Sequence, residues 1–105
     1  MSERSKPFAF VMMPFSEVFD DIYQYGIKPA CEEAGVLPRR IDEQIFTGNI
    51  LERIYSQIAQ ADVVISDLTS RNPNVYYETG YAQALGKRII LLTQSANDIP
   101  FDLKH

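Results

Sequence analysis

Three short apolar runs constrain this chain more than anything else in it: FAFVMM at 8–13, DVVISDL at 62–68 and RIILLT at 88–93. Each is too brief for a buried helix, and none alternates polar with apolar as a half-solvated strand would. Runs of this kind read as strands covered on both faces, the condition of a parallel sheet. What lies between them has a helical period. Ser16 stands where it could cap a helix carrying Val18, Phe19, Ile22 and Tyr23 on one side. Pro29 falls inside that pattern, so the helix is expected to kink or restart near Ile27 before Gly35 ends it. A weaker strand is expected at Val36–Ile41, at the sheet edge because Pro38 cannot donate to a ladder. After the loop DEQIFTG, Thr47 or Asn49 would cap a helix with Ile50, Leu51, Ile54, Ile58 and Ala61 at helical spacing. A last helix is expected from about Val75. The order β-α-β-α-β-α-β implies an α/β fold with helices on both faces of a parallel sheet.

With 105 residues, 46% hydrophobic and 23% charged, the chain has the size and make-up of one globular domain spanning 1–105. A further strand or helix would ordinarily follow RIILLT, so the domain is expected to belong to a longer protein. A net charge of −4 argues against a nucleic-acid partner, which needs clustered Lys and Arg. No apolar run is long enough to span a membrane. The single cysteine, Cys31, suits a reducing cytoplasm. The only histidine is the last residue, His105, so neither a metal site nor a Ser-His or Cys-His nucleophile is supported, and no cofactor is expected. Chemistry would have to come from carboxylates, hydroxyls and backbone.

In open parallel sheets, ligands bind beyond the carboxyl ends of the strands. Those ends are Met13-Pro14-Phe15-Ser16, Asp42-Glu43, Asp67-Leu68-Thr69 and Thr93-Gln94, and the loop bearing Asn72 and Asn74 overhangs the same edge. Asp67 and Glu78 are expected to converge there, giving two carboxylates for acid–base or nucleophilic work at an acetal-like carbon. Glu78 is expected near the first turn of its helix, where the dipole favours an anion. Tyr76, Tyr77 and Tyr81 offer flat faces for a nucleobase. Each has a plainer reading: Glu78 as a dipole-stabilised surface acid, Asp67 as a turn residue, Asp62 as a helix–strand boundary, and the tyrosines as packing.

The segment ADVVISDLTSRNPNVYYETGYAQALGKRIILL, residues 61–92, resembles the nucleoside 2-deoxyribosyltransferase-like proteins. Their pattern is an apolar strand after "AD", a loop, a Y-E-x-G-x-A-x-A-x-G-K helix and another apolar strand. FAFVMMPF resembles the family's first strand and loop, and the whole looks most like its TIR-like, nucleotide-binding bacterial branch. The resemblance implies a flavodoxin-like fold with sheet order 2-1-3-4(-5) and a nucleoside or nucleotide at the switch point. It implies that Glu78 attacks C1′ of the sugar and that Asp62 helps handle the base. Met13, Pro14, Phe15, Asp42, Asn72, Asn74, Tyr77 and Tyr81 would line the substrate. A homodimer or larger homo-oligomer is also implied. The transferases carry an acid where this chain has Asn72, which leaves three outcomes open: transfer, hydrolysis, or nucleotide sensing without turnover.

Overall fold

The computed structural model describes residues 6–14, 16–41 and 49–94. The expectations for Phe15, Asp42, Glu43 and Thr47 fall outside the described residues. Strand β1 (Phe8–Met12) leads into α1 (Glu17–Ile22), a π-helical turn (Tyr23–Ile27) and α2 (Lys28–Glu33). Then come β2 (Leu37–Arg40), α3 (Ile50–Gln60), β3 (Val63–Asp67), a 3-10 turn (Thr69–Arg71), α4 (Pro73–Ala84) and β4 (Ile89–Leu92). The sheet is parallel throughout, in the order β2-β1-β3-β4. This is an α/β, flavodoxin-like arrangement.

Alternation along the central strands sorts the core into two layers. Phe10, Met12 and Val64 pack with Ile58 of α3 and with Val75 and Ala82 of α4. Ala9, Val11 and Ile65 face the other way, onto Phe19, Tyr23, Ile27 and Cys31. Both faces of β1 are thus dry, as its unbroken apolar run requires.

The kink expected near Ile27 takes the form of a π turn. Pro29 has no N–H to donate and its ring would press on the carbonyl four residues back. The wider turn absorbs this: the Lys28 N–H donates to the Tyr23 carbonyl, five residues back, and Pro29 falls in the first turn of α2. Ser16 caps through its backbone, its carbonyl accepting from the Asp20 N–H at 2.9 Å, with no side-chain capping bond.

β2 is the poor strand its sequence suggests, and neighbours make it viable at the edge. The buried Arg40 guanidinium donates to Asp20 Oδ1 at 2.8 Å and lies 4.6 Å from the centre of the Tyr23 ring. Arg39 covers Phe8 at 4.3 Å. Lys87, next to the C-terminal Gly86 with its φ of 74°, donates to the carbonyls of Ala59 and Ala61 and so ties the end of α3 to the end of α4.

Candidate functional site

Asn72 fixes where α4 begins. Its side-chain oxygen accepts from the N–H groups of Asn74 (2.9 Å) and Val75 (3.2 Å), and Pro73 occupies the first helical position, where a missing N–H costs nothing. Glu78 therefore sits in the second turn rather than the first, and α4 has no acid in its first turn. The dipole has largely faded at that depth, so burial decides how Glu78 titrates.

The Glu78 carboxyl opens into a cavity of about 290 Å³ at the carboxyl end of β1. One wall is β1 and its extension, from Phe10 to Pro14; a second is Ile50, Leu51 and Ile54 of α3. Asn72, Asn74, Val75 and Glu78 supply the third. Apart from these two asparagines and Glu78, the described lining side chains are apolar. Loss of water pushes the Glu78 pKa up from the ordinary 4.5 to about 7, with no charged neighbour contributing. A carboxyl titrating near neutrality inside an apolar cavity is the kind of group that catalytic sites contain.

The expected pairing of Asp67 with Glu78 takes a different form. Asp67 is at the carboxyl end of β3, as expected, but it is buried and its Oδ1 accepts from the Thr69 N–H at 3.0 Å. It orders the turn leaving the strand, in which Ser70 and Arg71 both have positive φ (73° and 55°), and it is not part of the cavity wall. Asp62 stands at the opposite edge of the sheet. Its Oδ2 accepts from the Phe8 N–H at 2.8 Å and joins the starts of β1 and β3. That geometry removes Asp62 from the cavity.

Met13, Pro14, Asn72 and Asn74 line the cavity with Glu78; Tyr77 and Tyr81 do not. These two face α3, where they meet Tyr55, a residue that the sequence reading passed over. The Tyr55 and Tyr81 rings lie 4.7 Å apart, centre to centre, at 42°. The Tyr77 hydroxyl beside Tyr55 is the main cause that pushes the Tyr55 pKa up to about 12. Behind the cavity, Thr79 locks α4 to the sheet: its hydroxyl shares a 2.9 Å hydrogen bond with Ser66 and donates to the Val75 carbonyl at 2.6 Å.

A larger groove of about 500 Å³ lies on the other face, lined by apolar side chains and Cys31, whose thiol burial holds in its neutral form. It offers no polar group able to do chemistry. Among the described residues no cluster of His, Cys, Asp or Glu could hold a metal ion, and no helix is long and apolar enough to cross a membrane.

No family model and no curated protein matches the sequence. Solved structures do match the fold. A 2-desoxiribosyltransferase from Leishmania mexicana aligns over 85% of this chain with a TM-score of 0.71 and 23% identity. A 2-deoxyribosyltransferase from the psychrotolerant bacterium Bacillus psychrosaccharolyticus aligns over 91% of this chain and 79% of its own, with a TM-score of 0.75 and 14% identity. The chain spans 65% of the length of the Leishmania protein. It has a nucleoside 2-deoxyribosyltransferase-like fold.

Proposed function

We propose, with that fold as the premise, that the cavity binds a nucleoside and that Glu78 cleaves its N-glycosidic bond. One observation carries this reading: Glu78, its pKa raised to about 7, is the one carboxyl in the described lining of an otherwise nearly apolar cavity at the carboxyl edge of the sheet. The ionised Glu78 carboxylate attacks C1′ and forms a C1′–O ester bond. The C1′–N bond breaks, and its electron pair leaves with the base, which takes a proton from solvent. Water then cleaves the ester, releases the sugar and regenerates the carboxylate. A second base in place of that water would make the reaction a transfer. Asn72 and Asn74 stand where they can meet sugar hydroxyls, and Met12, Met13 and Ile54 can flank the base.

A volume of about 290 Å³ is at the small end of ligand cavities and suits one base with its pentose better than a dinucleotide. The described lining contains no Lys or Arg, so a phosphate would meet Glu78 and no compensating cation. The test is a chromatographic assay for free base after incubation with deoxynucleosides, ribonucleosides, their monophosphates and NAD. Release from unphosphorylated nucleosides is the expected result. No release from any of them overturns cleavage.

Sensing without turnover is favoured by one observation, the engagement of Asp67 in its own turn, which leaves Glu78 without a second carboxylate in the described wall. Under that reading a nucleoside raises the melting temperature and stays intact. Assembly as a homo-oligomer and a TIR-like role belong to the same set of proposals, and sedimentation with and without nucleoside tests both.

A further inference from the structure

The tyrosines on α3 and α4 occupy a particular place relative to Glu78. Ile50, Leu51 and Ile54 of α3 form one wall of the cavity, and Glu78 lies across from them on α4. Tyr55 follows Ile54 directly, and one turn along α4 Tyr81 follows Glu78; Tyr55 and Tyr81 meet outside the cavity lining and join the two helices that supply those walls. Their rings are 4.7 Å apart, and Tyr55 also lies beside the hydroxyl of Tyr77, the neighbour of Glu78 in sequence. One α3 side chain thus grips α4 on both sides of Glu78, at positions 77 and 81. Tyr55 and Tyr81 are half-buried, whereas Tyr77 is 66% exposed, so the cluster has an inner, packed side and an outer, wet one.

We propose that Tyr55 is a positioning residue of this site: its stack on Tyr81 and its contact with Tyr77 hold the α3 wall of the cavity against the α4 wall and keep water from Glu78. The inference deepens the proposed function and rests on it for one of its two readouts; the other needs only the folded protein. The ionisable groups that α3 and α4 bring around Tyr55 are Tyr77, Glu78 and Tyr81, while β1 offers only apolar side chains from Phe10 to Met12. Water exclusion is then the property through which Tyr55 acts. The ring stacked on Tyr81 matters more than the hydroxyl, because burial alone accounts for the titration of Glu78.

The test is 13C NMR titration of the Glu78 carboxyl, assigned by its loss in Glu78→Gln, in the full chain and in Tyr55→Ala, Tyr55→Leu and Tyr55→Phe. The wild type is expected to titrate at about 7, and Tyr55→Ala to fall back toward 4.5. Tyr55→Phe keeps the stacked ring and is expected to retain the wild-type value. Tyr55→Leu covers the case in which Ala does not fold, and it is expected to move in the same direction by less. With a turned-over nucleoside, Tyr55→Ala is expected to raise KM by roughly tenfold with a much smaller change in kcat at alkaline pH, as lost positioning of a bound ligand would. A Tyr55→Ala or Tyr55→Leu protein that is folded by circular dichroism yet titrates like the wild type overturns the inference, since a purely structural tyrosine would lower stability and leave Glu78 alone. Absence of turnover would count against the proposed function, and the titration would still decide the role of Tyr55.

Discussion

Replacing Glu78 by Gln should stabilise this protein at alkaline pH, and the size of the gain follows from where the carboxyl sits. The folded state keeps a proton on Glu78 up to about pH 7, whereas the unfolded chain releases it near the ordinary 4.5. Between those values the folded state binds more protons, so Glu78 makes stability fall as pH rises, and the loss is complete above about 7. At full strength the gap is worth about 3 kcal/mol. The carboxyl is partly open to solvent through the cavity mouth, and screening reduces this to about 1–2 kcal/mol. Glutamine has the shape of the protonated acid and no charge to desolvate. At pH 8 the variant should exceed the wild type by about 1–2 kcal/mol, or roughly 5–10 °C in melting temperature for a domain of this size. Near pH 4.5 the two should agree within about 0.5 kcal/mol. The assay is urea unfolding, followed by circular dichroism, of both proteins at half-unit steps from pH 4.5 to 8.5. A difference that stays constant with pH, or a Gln variant less stable than the wild type at pH 8, would refute the reasoning. A gain in stability on removing the reacting group is also the pattern expected where a site is built at the expense of the fold.

The same carboxyl sets a pH profile for turnover: a nucleophilic Glu78 requires base release to rise through about pH 7 and then level off, whereas a fall above 7 would make it a proton donor instead. Asp62→Ala should cost about 1 kcal/mol of stability through the lost bond to the Phe8 N–H and leave KM and kcat unchanged; a large fall in kcat would return Asp62 to the site. Thr79→Val, which strips the hydroxyl that Ser66 and the Val75 carbonyl share, should cost about 1–2 kcal/mol in urea unfolding, with Thr79→Ser closer to wild type. Lys87→Met should lose about 1 kcal/mol by uncoupling the ends of α3 and α4, and a neutral result would mean that its two carbonyl contacts are dispensable.

Much of the fold was legible because the strands announce themselves. FAFVMM and VVIS have no polar face, and only a parallel sheet with two covered sides buries such runs. β2 was legible as an edge from Pro38, although what sustains it, Arg40 held by Asp20 and Tyr23, is a long-range contact that spacing does not report. The π turn lay hidden for a similar reason: Pro29 shows that the helix must adjust and leaves several ways of adjusting. Glu78, Met13, Pro14, Asn72 and Asn74 were placed together from the sheet's carboxyl edge and the family resemblance, and all five line the same cavity there. Glu78 lies one turn deeper than its helix pattern suggests, since Asn-Pro is a cap followed by its preferred first residue. Asp67 and Asp62 could not be sorted by spacing, because each has its partner in a backbone N–H, one two residues on and the other 54 residues away. Tyr55 was invisible for the plainest reason: at its position a helix-facing tyrosine is ordinary packing, and only the meeting with Tyr77 and Tyr81 gives it another part.

The central claim is that the Glu78 carboxyl does the chemistry, and base release measured side by side for wild type and Glu78→Gln, on the best nucleoside across pH 5–9, tests it most directly. The expected result is wild-type release that climbs through about pH 7 and a Gln variant, folded and at least as stable, that stays at background throughout. A Gln variant that releases base within a few-fold of the wild type would contradict the claim and move the reacting group elsewhere.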